Sequence, residues 1–217
     1  MPKIKEKRME EIQSLENTFD WHNYNSENPF PKGSWNSEIF DNNNPIVLEL
    51  ACGKGEYSTG LAKLYPNKNF IGFDIKGNRL WVGAQRALDQ NLNNVRFFRA
   101  YIDHLDQFFA ENEVSEIWII FPDPQLKKDR KKLTSPKFLD LYRPLLKMGA
   151  TINLKTDSTE LYEFTKEVIE EQDLQLLRDI SDVYKECPED PELSIKTYYE
   201  KKHLENNKLI KFISFSL

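Results

Sequence analysis

Short apolar runs alternate with amphipathic segments of about ten to fifteen residues through most of the chain. Five of these runs are rich in β-branched or aromatic residues and predict buried strands: 45–50, 69–74, 95–100, 116–121 and 150–155. Segments between them place apolar residues at helical spacing, as with Leu80, Trp81, Ala84 and Leu88. This alternation favours βαβ units, and therefore a parallel sheet covered by helices on both faces.

The carboxyl-terminal part departs from this alternation. Runs 174–180 and 208–217 predict two closing strands, with no helical pattern recognised between them. We therefore expect the final strand to run antiparallel. The predicted fold class is α/β, a doubly wound and mostly parallel sheet in which ligands bind outside the carboxyl ends of the strands.

The N-terminal segment has a different composition from the rest. Residues 1–20 are charged with a weak helical stripe, and residues 20–44 are rich in Asn, Pro and aromatic side chains. This predicts a helix followed by an irregular arm, which is ordered only where it packs on something else. We assign 1–44 to the helix and arm and 45–217 to the main domain, since 217 residues suit one domain with short appendages.

Composition narrows the class of protein. Hydrophobic residues make up 39% of the chain, enough for a sizeable core, and a formal charge of -5 gives no general affinity for nucleic acid. Cys52 and Cys187 are too few for a disulfide framework and suit a reducing compartment. No apolar run approaches the ~20 residues that span a bilayer, and the N-terminus lacks a signal-peptide core. We expect a cytoplasmic protein that does not associate with membranes.

A glycine-containing turn follows the first predicted strand, in LELACGKGEYSTGLA (48–62). Gly53 and Gly55 allow a tight strand-to-helix turn and a close approach of backbone to ligand. Glu49 precedes the turn, and Asp74 ends the second strand, where an acid accepts hydrogen bonds from ribose hydroxyls. The Glu49 carboxylate, at the end of the first strand, would repel a pyrophosphate but attract a cation, which favours S-adenosylmethionine over NAD. An α/β protein that binds no nucleoside is a further alternative at this point.

The second motif is FPDPQLKKDRKKLTSP (121–136). Asp123 ends the fourth strand between two prolines, which pre-set the backbone and suit a side chain held over a reacting centre. The basic residues that follow are Lys127, Lys128, Arg130, Lys131 and Lys132. Local basicity beside an acidic pocket fits a polyanionic substrate, and a solvated surface loop is the simpler alternative.

Two further motifs come after the fourth strand. Asp157 in LKTDS (154–158) ends the fifth strand, where a plain helix cap is the alternative. The segment TYYE (197–200) precedes the last strand and is either functional or the aromatic start of that strand. Neither motif decides a function by itself.

Taken in order, these motifs resemble those of the bacterial tRNA (guanine-N7)-methyltransferases. The matching elements are E-x-x-C-G-K-G, an acid at the second strand end, F-P-D-P-x-x-K-K, K-T-D and T-x-Y-E, across roughly residues 30–217. The resemblance implies a seven-stranded doubly wound sheet with the last strand antiparallel. It also implies methyl transfer from S-adenosylmethionine to N7 of a guanine in tRNA, at position 46 of the variable loop, leaving S-adenosylhomocysteine.

The resemblance also implies roles for particular residues. Glu49 and Asp74 are expected to bind S-adenosylmethionine, with Gly53 and Gly55 lining the same pocket and Asp123 at the methyl-transfer centre. Tyr101 stands where the family commonly has an adenine-binding acid, so either Tyr101 or Asp103 is expected to take that place. The residues implied to engage the tRNA guanine are Lys127, Asp157, Thr197, Tyr198, Tyr199 and Glu200.

The sequence departs from the family pattern at three places. Ala51 replaces a usual glycine in the first turn, and Gln125 and Leu126 replace a usual Trp-Pro. Asp129 interrupts a basic run that is shorter than the family's. We expect the turn to absorb the change at Ala51, and the other two departures to affect tRNA affinity more than the chemistry.

Guanine N7 carries a lone pair and no proton, so its alkylation needs no general base. His22, His104 and His203 lie outside every motif, and no cluster has metal-ligand spacing, so neither a catalytic histidine nor a metal is expected. We predict catalysis by placement, with Asp157 or Glu200 accepting from guanine N1–H and N2–H. Alternatives are a methyltransferase for a small molecule or a protein, and a non-catalytic RNA-binding module. The sequence leaves monomer and homodimer open.

Overall fold

The computed structural model describes residues 2–25, 27 and 29–217, with side chains from residue 4 onward. Its strands are β1 (Thr18–Asp20), β2 (Ile46–Leu50), β3 (Asn69–Asp74), β4 (Val95–Arg99), β5 (Val114–Ile120), β6 (Leu146–Thr156), β7 (Gln175–Ile180) and β8 (Lys211–Ser216). They form one sheet in the order β1-β4-β3-β2-β5-β6-β8-β7.

The α-helices are α1 (Pro2–Glu11), α2 (Glu56–Leu64), α3 (Gly77–Asp89), α4 (Leu105–Phe108), α5 (Pro136–Tyr142), α6 (Thr159–Glu171), α7 (Val183–Glu186) and α8 (Tyr198–Glu205). Helices α4 and α7 are single turns of four residues. Among the described residues, no helix is long and apolar enough to cross a membrane.

The sheet confirms the predicted α/β class. Neighbouring strands from β1 across to β6 pair in parallel, and β8 is antiparallel to both β6 and β7. Two details differ from the sequence-based expectation. An eighth strand, β1, comes from the N-terminal segment, and helices α7 and α8 lie between the two closing strands, where no helix was predicted.

Two hydrophobic layers enclose the sheet. One contains side chains of α2 and α3, and the other contains side chains of α5 and α6. Every residue of β2 and β3 is buried. Because both faces of these central strands are covered, their sequences are apolar runs without alternation, which is how the pattern identified them.

The N-terminal arm packs into the hydrophobic layer that also contains side chains of α5 and α6. Trp35 is fully buried in a π-helical turn (Trp35–Phe40), and its indole N–H donates to the Phe108 carbonyl at 2.9 Å. Asn69 at the start of β3 donates to the side chains of Asn36 and Asn42 at 2.9 and 2.7 Å. The aromatic composition of the arm is therefore explained by packing.

Candidate active site

The predicted site residues follow the carboxyl ends of five neighbouring strands. In sheet order these residues are Tyr101, Asp74, Glu49, Asp123 and Asp157, after or near the ends of β4, β3, β2, β5 and β6. Three strand spacings of about 4.8 Å separate the ends of β3 and β6, so the acids form a row about 14 Å long. Strand order reverses between β2 and β5, so the centre of the row is the topological switch point, the usual ligand crevice of such sheets.

The turn after β2 brings backbone close to this row. Gly53 has a φ of 57°, and a Cβ at this position would meet no atom within 4 Å, so the backbone faces open space. Its N–H donates to Asp74 at 2.9 Å. Gly55, at a φ of 58°, begins α2, and a Cβ there would collide with the Phe97 ring. Ala51 takes up the left-handed conformation at a φ of 57°, so the turn absorbs the missing glycine at some backbone strain.

Glu49 is buried at the switch point, with 4% of its surface exposed. Its carboxyl accepts hydrogen bonds from the backbone N–H of Ser58 at 2.6 Å and from the Ser58 hydroxyl. Burial raises the pKa of Glu49 to about 8, an effect that the Ser58 bonds oppose and the charges of Glu56 and Asp74 reinforce. The Glu49 side chain lines a small cavity. A cation bound in this cavity would favour the ionised form of the Glu49 carboxyl, so the cavity suits a positively charged ligand.

A cavity of about 350 Å³ adjoins Asp74. One carboxylate oxygen of Asp74 accepts from Gly53 and the other accepts from the Lys76 N–H at 2.8 Å, which fixes the carboxylate at the cavity wall. Apolar side chains complete the wall: Ile75, Ala100, Ile102, Leu133 and Phe138. Tyr101 and Asp103 both line this cavity, and Asp103 is ion-paired with Lys137, so Tyr101 is the less constrained of the two.

The Pro-Asp-Pro segment carries unusual backbone angles. Phe121 has a φ of 46° although it precedes a proline, and Gln125 has a φ of 49°. Both values are costly for residues with side chains, and such strain concentrates at functional sites. Between them, Asp123 is exposed, and its carboxylate accepts from the Gln125 N–H at 3.1 Å. The segment therefore presents the Asp123 carboxylate in a fixed position.

Asp123 and Asp157 line one open cavity of about 490 Å³. Asp157 is held there by Lys208 at 2.6 Å and by the His203 Nδ1 at 3.4 Å. Tyr199 also lines the cavity, and His203 lies one helical turn further along α8. His203 lies outside every motif of the sequence. Its spacing of four from Tyr199 is the signal that could have placed it here.

The TYYE segment begins helix α8 and does not start a strand. Thr197 is the N-cap, and its hydroxyl accepts from the Glu200 N–H at 3.1 Å while the Glu200 carboxylate accepts from the Thr197 N–H at 3.3 Å. Both side chains are buried, Glu200 completely. This reciprocal capping box turns Thr197 and Glu200 inward, whereas Tyr198 and Tyr199 remain exposed.

Glu200 holds a buried ion pair that the sequence analysis did not foresee. The Lys155 ammonium lies 2.6 Å from its carboxylate, and both side chains are 0% exposed. Lys155 also donates to the carbonyls of Leu193 and Ile195 at 2.7 and 3.3 Å. Burial lowers the pKa of Lys155, and the Glu200 charge opposes that shift. With its carboxylate buried and paired with Lys155, Glu200 is less well placed to contact a base than Asp157, the other residue expected in that role.

The lysines of the basic run after β5 differ in their surroundings: some are exposed near the site, and one is buried in an ion pair. Lys127 is exposed, and Lys131 lines the cavity beside Asp74. Lys132 is buried, ion-paired with Asp129 at 2.6 Å and seated 3.9 Å from the Phe164 ring centroid. The basic run therefore lies beside the row of acids, but fewer of its lysines are available to a ligand than the sequence indicates. Within the described residues, no group of three or more His, Cys, Asp or Glu side chains could hold a metal ion.

Solved structures of methyltransferases share this architecture. The 16S rRNA methyltransferase KamB superposes with a TM-score of 0.66 at 13% identity, covering 87% of this chain and 94% of that one. A SAM-dependent methyltransferase from Aquifex aeolicus superposes with a TM-score of 0.56 at 14% identity, covering 79% and 81%. The fold is that of the Rossmann-like, S-adenosylmethionine-dependent methyltransferases.

Sequence comparison narrows the class. Residues 43–213 match the family described as "Putative methyltransferase". The tRNA (guanine-N(7)-)-methyltransferase of Porphyromonas gingivalis is 52% identical over 88% of this chain and 79% of its own length. The enzyme of the same name from Bacteroides fragilis is 46% identical over 100% of this chain and 87% of its own. The chain belongs to the tRNA (guanine-N7)-methyltransferase family.

Proposed function

We propose that the protein transfers the methyl group of S-adenosylmethionine to N7 of a guanine in tRNA, at position 46 of the variable loop, in the cytoplasm. One observation carries the proposal. The small cavity beside Glu49 shares Phe121, Arg79 and Tyr199 with the cavity that contains Asp123 and Asp157. The cavity beside Glu49, which we assign to the positively charged ligand, therefore adjoins a space with room for a nucleic-acid base.

The residues present fit S-adenosylmethionine. The Asp74 carboxylate uses one lone pair of each oxygen on backbone N–H groups and retains others for ribose hydroxyls. The apolar wall of the adjoining cavity suits an adenine, with Tyr101 at its rim. Glu49 and the open backbone at Gly53 suit the positively charged amino-acid end. When bound, this cosubstrate supplies an electrophilic methyl group on a sulfonium sulfur.

Asp123 is assigned to the transfer centre. As the methyl–sulfur bond breaks and the carbon–N7 bond forms, positive charge moves from sulfur to the guanine ring. A carboxylate at the base edge stabilises that developing charge more than the starting state. N7 has no proton to lose, so Asp123 acts by position and charge.

Asp157 is assigned to base recognition. A carboxylate that faces guanine N1–H and N2–H accepts from both, which discriminates against adenine. Lys208 and His203 hold the Asp157 carboxylate at the cavity wall. Tyr199 offers an exposed ring for stacking, a contact worth ~1–3 kcal/mol per base. Lys127, exposed on the neighbouring loop, is assigned to the tRNA phosphates.

Substitution Glu49→Gln tests the cosubstrate pocket. The folded pKa of about 8 exceeds the ordinary value of 4.5, so the folded state keeps a proton that the unfolded state releases between these values. The melting temperature of the wild type should therefore fall as the pH rises from 4.5 to about 8. Glu49→Gln has no proton to release, so its melting temperature should lack this contribution to the fall. Loss of the charge should weaken S-adenosylmethionine binding about 10- to 100-fold by calorimetry.

Glu56→Gln is the matched control, because Glu56 lines the same cavity but is only partly buried. It should keep near wild-type affinity. Equal affinity of Glu49→Gln and wild type would remove Glu49 from the pocket.

The activity itself is tested by mapping the product. The protein is incubated with labelled S-adenosylmethionine and unmodified tRNA, and the RNA is cleaved chemically at N7-methylguanine. A single break at guanine 46 is expected, and it should disappear when that guanine is replaced by adenine. Label incorporated without cleavage at any guanine would show a different acceptor atom and refute the proposal.

A further inference from the structure

A second cationic surface lies beside the site, and we call it the basic groove. It is a depression of about 450 Å³ between α2, α3 and α8. Its cations are Lys54, Lys63, Arg86, Lys196 and Lys201, against one acid, Glu56. None of these residues belongs to the basic run after β5, and only the fold brings them together.

The charges of the basic groove are not neutralised by the protein. In the part of the chain that the structure describes, none of its five cations lies within 4.0 Å of a carboxylate. Elsewhere on the surface, lysines are paired, as in Lys166 with Asp179 and Lys208 with Asp157. The five unpaired cations repel one another although the chain as a whole has a net charge of -5. A bound polyanion would lower this electrostatic repulsion.

The basic groove is continuous with the active site. Lys54, Glu56 and Tyr198 line both the groove and the cavity beside Glu49, and the Lys54 ammonium lies 4.5 Å from the Tyr198 ring centroid. Tyr199, the next residue of α8, lines the open cavity that contains Asp123 and Asp157, which we call the base cavity. The amino end of α8 therefore separates the basic groove from the base cavity.

We infer that the basic groove binds the phosphodiester backbone of the tRNA whose guanine enters the base cavity. This inference rests on the proposed function. Phosphate contacts fix the register and orientation of a nucleic acid without reading its sequence. With the loop that contains Lys127 on one side and the basic groove on the other, the RNA backbone would cross the first turn of α8 and turn its base inward there.

Substitution of two exposed cations tests the inference. Lys63→Ala/Lys201→Ala changes the basic groove and leaves Lys54 and Tyr198, which also line the active site, intact. The matched control is Arg143→Ala/Lys147→Ala, which removes two exposed cations near the opposite, amino end of β6. Binding of unmodified tRNA, methylation kinetics and S-adenosylmethionine affinity are measured for both variants and the wild type.

The groove variant should bind tRNA about tenfold more weakly at about 0.1 M salt, and its slope of log Kd against log salt should fall by about 1.5. KM for tRNA should rise with kcat and S-adenosylmethionine affinity unchanged, and the control should match wild type. A groove variant with wild-type KM and salt slope would overturn the inference while tRNA methylation stands. A wild type that methylates no tRNA would instead refute the proposed function.

Discussion

Asp123→Asn should lower kcat for tRNA methylation about 100- to 1000-fold, the usual cost of removing one group that stabilises transition-state charge. The asparagine oxygen can still accept the hydrogen bond from the Gln125 N–H, so the strained loop should keep its conformation. What is lost is the negative charge that faces the guanine as it becomes cationic. Single-turnover methyl transfer at saturating tRNA isolates this step.

The control for Asp123 is Asp140→Asn, an exposed carboxylate on α5, which should leave the rate unchanged. Affinities for S-adenosylmethionine and tRNA should change by less than about tenfold in Asp123→Asn, since the lost interaction strengthens only in the transition state. If kcat fell by less than fivefold, Asp123 would be a structural residue of the loop.

Lys155→Met should destabilise the protein by about 3–5 kcal/mol, because it leaves the Glu200 carboxylate buried without its partner. Urea unfolding of the unliganded protein measures this change. Lys155→Met/Glu200→Gln should recover at least about 2 kcal/mol of it, since the amide oxygen can still accept from the Thr197 N–H while the amide N–H donates to the Tyr184 hydroxyl oxygen.

The double variant also separates stability from activity. If the pair positions the first turn of α8, the double variant should fold yet show a raised KM for tRNA, with S-adenosylmethionine affinity retained. A loss below about 1 kcal/mol in Lys155→Met would mean that the side chain or water relieves the isolated charge. In that case the Lys155–Glu200 ion pair does not stabilise the docking of α8 against β6.

The central sheet was predictable because burial on both faces leaves an unbroken apolar run. Strand β1 was not, since Thr18–Asp20 has no pattern of its own and pairs with β4 in its tertiary setting, where Asp20 meets Arg99 at 2.7 Å. Helix α8 was missed because it is polar and the two tyrosines suggested a strand. Its T-x-x-E capping box was visible in the sequence and is the stronger signal.

The row of acids was predictable from strand ends alone, since parallel strands finish at one edge of the sheet. Ion pairs between residues that are distant in sequence were not predictable. The Lys155–Glu200 pair joins residues 45 positions apart in sequence, and nothing in the sequence of β6 indicates that Lys155 is buried. The spacing of four places His203 on the same face of α8 as Tyr199, but its position beside Asp157 depends on how α8 docks on the sheet.

The three residues of β1 have a consequence for handling the protein. The matched family region begins at residue 43, so trimming the chain to that point is a natural choice. Such trimming would make β4 an edge strand, leave the backbone groups that pair with β1 unsatisfied, and uncover Phe98, which packs on Phe19 and Trp35. Uncovered strands of this kind recruit copies of themselves. We therefore expect that removing the N-terminal segment would increase self-association of the protein.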